Sequence, residues 1–217
     1  MKPALVLALL VFPLFAIAQE DWTYINRDEK VNRFQVNSKG KFHVDGQEVT
    51  GFSLQQTGDK IAISPSSPGG KYAVLFAFGD QDSQCALLQY EKRAASPMNM
   101  EGTPMVWNSW SPEGPYLLLA TYSDAGSSLY SISLSTFQPK KVVVSLHKEG
   151  EKTEIDTTTA TWTAPDTFQM EATVHCNPAK PECTSQLEAK PLRIYKLTIN
   201  AESLQVNTEE QDLQPEE

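Results

Sequence analysis

Cys176 and Cys183 enclose the segment Asn-Pro-Ala-Lys-Pro-Glu, and His175 stands directly before the first of them. Two chemistries fit those residue types at that spacing. The His and two Cys are three donors of the kind that hold zinc, although the spacing follows no common zinc pattern. Two cysteines around a turn rich in Pro and Asn are a disulfide closing a tight loop. Loop-closure entropy makes such a bridge worth about 2 kcal/mol at most. The disulfide is the reading adopted, and no metal is expected. Cys85 is left over. Its neighbours Ala86, Leu87 and Leu88 suit a buried, inert thiol, with an intermolecular bridge as the alternative.

Gly79-Asp80-Gln81-Asp82-Ser83 begins like a calcium loop, with two carboxylates at ligand spacing. The later carboxylates and the closing Glu of such a loop are missing. Loop-capping aspartates are the better reading of Asp80, Asp82 and Asp124. No G-x-S-x-G, H-E-x-x-H, P-loop or G-x-G-x-x-G pattern occurs, and His43, His147 and His175 lie far apart. No catalytic residue and no cofactor follow from the motifs. The aromatic set is more informative. Trp107, Trp110, Tyr116, Tyr122 and Trp162 gather around the starts of apolar runs. They serve either as packing between sheets or as a surface for peptide or glycan. On the second account Trp107, Trp110, Tyr122 and Trp162 are the candidate binding residues.

Composition narrows the partners. The 217 residues carry a formal charge of −9 and no basic stripe, which argues against nucleic acid and anionic lipid. Residues 1–18 read as a signal peptide. Lys2 gives the positive start, Ala4 to Ile17 is nearly all apolar, and Ala16-Ile17-Ala18 is an A-x-A cleavage pattern. The run is too short to span a bilayer comfortably, and no other stretch approaches that length. A periplasmic or secreted location follows, where disulfides are permitted. Residues 19–206 are expected to form one domain, able to bury about 70% of its unfolded surface. Residues 207–217, with Glu209, Glu210, Asp212, Glu216 and Glu217 and no cation, are expected to be a disordered acidic tail.

The elements that position these residues are strands. Ser67-Pro68-x-Gly70-x-Tyr72 recurs 44 residues later as Ser111-Pro112-x-Gly114-x-Tyr116. In the same register Ala73-Val74-Leu75 falls on Leu117-Leu118-Leu119, Phe78 on Tyr122 and Leu88 on Ile132. A weaker third copy holds Trp162, Ala164-Pro165-Asp166 and, later, Ile194-Tyr195. It carries an insertion that contains the cysteine loop. Within the second copy, Val106 to Trp110 leads in, and Tyr116 to Tyr122 reads as a strand buried on both faces. Leu129 to Leu134 alternates, and Lys141 to Leu146 is β-branched. Residues 20–60 carry turn signals at Asn37-Ser38-Lys39-Gly40 and Asp45-Gly46, as in a β meander. The Thr-rich stretch 153–162 is read as a connection. No long helical period occurs. The expectation is an all-β protein: a small or incomplete β-propeller of about four antiparallel blade-like sheets, each of roughly 44 residues.

Trp110-Ser111-Pro112-x-Gly114 before an apolar strand, with Leu129-Tyr130 opening a later one, resembles the repeat of TolB-type, WD-like β-propellers. The resemblance is best in residues 64–146. It implies a propeller fold and a binding role and carries over no catalytic residue. The expected function is therefore an exported scaffold that binds another extracytoplasmic protein through its loops. The competing reading is an accessory glycan or peptide hydrolase with carboxylates converging from several blades. A third is a module that completes its ring by homo-oligomerisation.

Overall fold

The computed structural model describes residues 22–54, 58–79, 83–123, 126–179, 183 and 190–211. The segment read as a signal peptide and the aspartates at 80, 82 and 124 lie outside the described residues. Among those described there are seventeen strands and no helix. The all-β expectation holds; the division into about four separate blades does not.

The first half is a single nine-stranded sheet. Its first strand is β1 (Thr23–Asn26). A meander of short strands follows: β2 (Glu29–Val31), β3 (Phe34–Val36), β4 (Lys41–Val44) and β5 (Gln47–Ser53). The β4–β5 hairpin turns on Asp45 and Gly46, both at positive φ, as the Asp-Gly signal requires. A second meander comprises β6 (Gly58–Ile63), β7 (Tyr72–Gly79), β8 (Gln84–Gln89) and β9 (Ala94–Pro97). The order across the sheet is β1-β6-β7-β8-β9-β5-β4-β3-β2.

Two pairings fuse what the repeat alone suggests are separate units. β1 pairs along the free edge of β6, from Thr23 with Ile63 to Asn26 with Lys60. β5 meets β9 in parallel at Thr50 and Ala94. That join depends on Gly51, because a Cβ there would come within 2.3 Å of the Ala95 carbonyl oxygen. The sheet curls until it is nearly closed. Phe42, Phe52, Ile61, Ile63, Leu75 and Leu88 fill its interior.

Two four-stranded antiparallel sheets follow. One contains β10 (Thr103–Trp110), β11 (Tyr116–Ser123), β12 (Gly126–Ser133) and β13 (Pro139–Lys141). The other contains β14 (Glu151–Ala164), β15 (Thr167–Cys176), β16 (Arg193–Asn200) and β17 (Val206–Gln211). The first of these packs on the outside of the nine-stranded sheet through Val74, Phe76, Leu87, Leu117, Leu119 and Ile132. Its other face meets the last sheet through Leu118, Leu129, Phe168, Met170 and Leu197.

Alternation of side chains across a strand explains both contacts. Ala73 and Leu75 point into the curled sheet while Val74 and Phe76 point out of it. Forty-four residues on, Leu117 and Leu119 point back and Leu118 points forward. β7 and β11 are thus buried on both faces, as their continuous apolar runs predict. Each fully buried Leu contributes about 2 kcal/mol. The last sheet ends the stack. In β15 Phe168, Met170, Ala172 and Val174 are buried, and the intervening Gln169, Glu171, Thr173 and His175 form its other face.

Three local expectations need correction. The Thr-rich stretch is no connection but the middle of β14, which bulges between Asp156 and Thr161. The Asp156 carboxylate builds that bulge by accepting from the Thr158 N–H and hydroxyl. The acidic segment begins as strand, because β17 pairs with β16 as far as Gln211. Residues 142–146 leave the sheet after β13 instead of continuing as strand.

Candidate functional site at the turn end of the stack

Ser67 and Ser111 each open a turn whose hydrogen bonds repeat. The Ser67 N–H donates to Tyr72 O at 2.8 Å, and the Ser111 N–H donates to Tyr116 O at 2.9 Å. The Ser67 hydroxyl accepts the Tyr72 N–H, while the Ser111 hydroxyl accepts the Gly114 N–H. Pro68 and Pro112 preset the backbone at the second turn position. The strands that return beside these turns are fastened alike, Tyr90 N–H to Lys71 O and Leu134 N–H to Pro115 O.

The tryptophans before the turns reach backward. Trp110 Nε1 donates to Pro65 O at 3.2 Å, and Trp162 Nε1 donates to Ser109 O at 3.4 Å. Each indole joins its own sheet to the turn region of the preceding one. The third turn closes the row, with the Ser111 hydroxyl donating to Pro165 O at 2.5 Å. A buried indole N–H left without an acceptor is costly, so this placement fixes how adjacent sheets sit at this end.

Between the first two turns lies a groove of about 500 Å³. Tyr72 and Trp110 supply aromatic surface, Pro68, Pro112 and Pro115 supply rigid walls, and Lys71 and Glu113 supply opposite charges. Phe137 holds the Tyr72 ring, with centroids 6.2 Å apart. The Tyr116 phenol is pushed above its ordinary value by burial and then by the neighbouring Glu202 carboxylate. The groove can hold flat or apolar groups against its aromatic side and accept hydrogen bonds at its serines. Its lining includes one carboxylate, Glu113.

The candidate binding residues do not form one patch. Trp110 lines the groove. Trp162 is partly buried, with its ring edge-on to Phe168 at 5.5 Å. Trp107 lies on β10, and its side chain is outside the described residues. Tyr122 is 58% exposed at the opposite end of β11, six residues or about 20 Å from Tyr116. Sequence reasoning passed over Lys71, Tyr72 and Phe137 as site residues, although the repeat placed Tyr72 opposite Tyr116.

Cys176 and Cys183 are bonded to each other, which takes both sulfurs out of the zinc set. The bridge sits where the third repeat carries its insertion, between β15 and β16. Among the described residues no three His, Cys, Asp or Glu side chains gather as a metal site. Cys85 is buried and unbridged, and burial raises its thiol pKa well above the ordinary value. No helix among the described residues is long and apolar enough to cross a membrane. Neither models of known protein families nor curated proteins match the chain.

Proposed function

We propose that this protein is an exported binding scaffold that holds an extended segment of another extracytoplasmic protein in the groove at the turn end. The observation that carries the reading is the groove itself. Rigid proline turns from two successive sheets flank Tyr72 and Trp110, with Lys71 and Glu113 nearby. Aromatic and proline surfaces of this kind take extended peptides at little entropic cost. The disulfide is the kind of bond that persists in an oxidising compartment, which supports an extracytoplasmic location. The likeness of the Trp-Ser-Pro-x-Gly turn to TolB-type repeats supports a binding role. The single carboxylate of the groove favours binding over two-carboxylate hydrolysis.

A photo-crosslinking residue at position 71 tests the reading in the native extracytoplasmic fraction, with position 30 as control. The expected result is one reproducible protein adduct from position 71, lost when Tyr72→Ala is added. Adducts of equal yield from both positions, or none from 71, would overturn it.

A further inference from the structure

A second opening lies between the last two sheets, toward the end of β11 that carries Tyr122, and its chemistry is that of an unpaired strand edge. β13 runs beside β12 from Ile132 with Pro139 to Tyr130 with Lys141. The Val142 N–H donates to Leu129 O at 2.8 Å, and the pairing then stops. Among the described residues Val143, Val144 and Ser145 make no backbone hydrogen bond. Their burial still alternates, with Val142 buried, Val143 71% exposed and Val144 half-buried. The segment keeps the form of a strand without a partner.

The neighbouring edge is open in the same way. Backbone groups two residues apart in a strand point the same way. The Leu129 carbonyl points toward β13, so the N–H and C=O of Ser127 point toward the opening. The resulting cleft of about 390 Å³ is lined by Ser127, Ser128, Val142, Val143, Thr153 and Ile155. Tyr122 pairs directly across from Ser127, which puts its exposed ring beside the cleft. Charges in the lining nearly cancel. The Lys141 ammonium is held 2.8 Å from Glu101, and Lys152 stands two residues from Glu154 on the same side of β14.

We infer that this cleft is a strand-addition site: an uncharged extended peptide, rich in β-branched and hydroxyl side chains, pairs along one edge with the backbone of Ser127 and along the other with that of Val144, whose groups point the same way as the Val142 N–H. Backbone pairing supplies the affinity, and small alternating pockets select the side chains. Val142, Val143 and Ile155 match β-branched apolar groups and Ser128 matches a hydroxyl, while the Thr153 hydroxyl is taken by the Leu146 N–H and His147 Nδ1. The balance of lysines and glutamates disfavours a charged strand. The site is separate from the turn-end groove and stands whether or not that groove binds.

The test uses the full mature chain and the capped pentapeptide Ac-Thr-Val-Thr-Val-Thr-NH2, followed by amide NMR. Two versions are N-methylated at the Val or at the Thr nitrogens, each stripped of the donors along one edge. The expected result is saturable shifts at Ser127, Ser128 and Val144, with at least tenfold weaker binding for each methylated version, since the peptide donates along both edges. Analogues with Glu or Lys in place of Thr should bind more weakly than the neutral peptide. Absence of binding, undiminished binding by either methylated version, tighter binding of a charged analogue, or shifts at Lys71 and Tyr72 instead would each overturn the inference. So would concentration-dependent shifts of the same amides without peptide, which would make a second copy the occupant.

Discussion

Gly70 and Gly114 hold the same place in two turns 44 residues apart, yet each needs glycine for its own reason. Gly70 has φ +68° and open space around it, so its demand is conformational. A side chain there adopts the left-handed region at a cost of about 1–2 kcal/mol. Gly114 has no such φ, but a Cβ would stand 2.1 Å from the Pro165 oxygen of the next sheet. Its demand is close approach. The two substitution series should therefore diverge in denaturant midpoint. Gly70→Asn should cost less than Gly70→Ala, because Asn tolerates the left-handed region. Gly114→Ala should cost about 1–3 kcal/mol by forcing neighbouring atoms apart, and Gly114→Asn should cost more. Equal ranking at both positions would remove the distinction.

Strands were the most legible elements, and their partners the least. The run Tyr116 to Tyr122 announces a strand buried on both faces because no polar residue interrupts its early part, and β11 is that strand. The Asp45-Gly46 hairpin was equally plain. The join of β5 to β9 was not, since one close parallel contact at Gly51 leaves no periodic mark. Pairing of β1 with β6 spans the four strands between them and is likewise invisible to local pattern. The aromatic set could be seen in the sequence; that Trp110 and Trp162 donate their N–H groups to carbonyls of the preceding sheet's turn and strand end, Pro65 and Ser109, could not. At this scale the ion pair of Glu151 and Arg193 ties the starts of β14 and β16 across β15. The Glu151 carboxyl is held below its ordinary range, first by the Lys148 N–H at 2.7 Å, then by Arg193. A depressed carboxyl contributes stability above its unfolded value of about 4.3 and loses it as pH falls through the folded value. Glu151→Gln should lower stability at neutral pH by about 1.5–3 kcal/mol, the range for hydrogen bonds to charged groups. It should also remove part of the acid-side slope in thermal unfolding followed from pH 7 downward. An unchanged slope would show that the pair carries no acid sensitivity.

The molecule as a whole is a stack finished at both ends. The far side of the curled sheet presents Gln35, Lys41, His43 and Glu48, with Lys41 and Glu48 paired at 3.1 Å. The last sheet presents Gln169, Glu171 and Thr173. Among the described residues neither of these faces presents a broad apolar surface, and the expected state in solution is a monomer. Sedimentation equilibrium at micromolar concentration should return the mass of one chain; a stable trimer or larger ring would contradict this account of the ends. The route by which the chain reaches its form is set by one edge. The two later sheets are assembled hairpin by hairpin from neighbouring strands and can zip as they emerge from synthesis. β1 emerges first and has no mate until β6 has been made, so the earliest strand must wait for a later one, and Trp22 can stack on Phe76, 5.1 Å between rings, only once β7 has followed. A newborn chain halted before residue 58 would hold a greasy strip with nothing to lie against, and a chaperone that shields such strips would have its natural task in that interval.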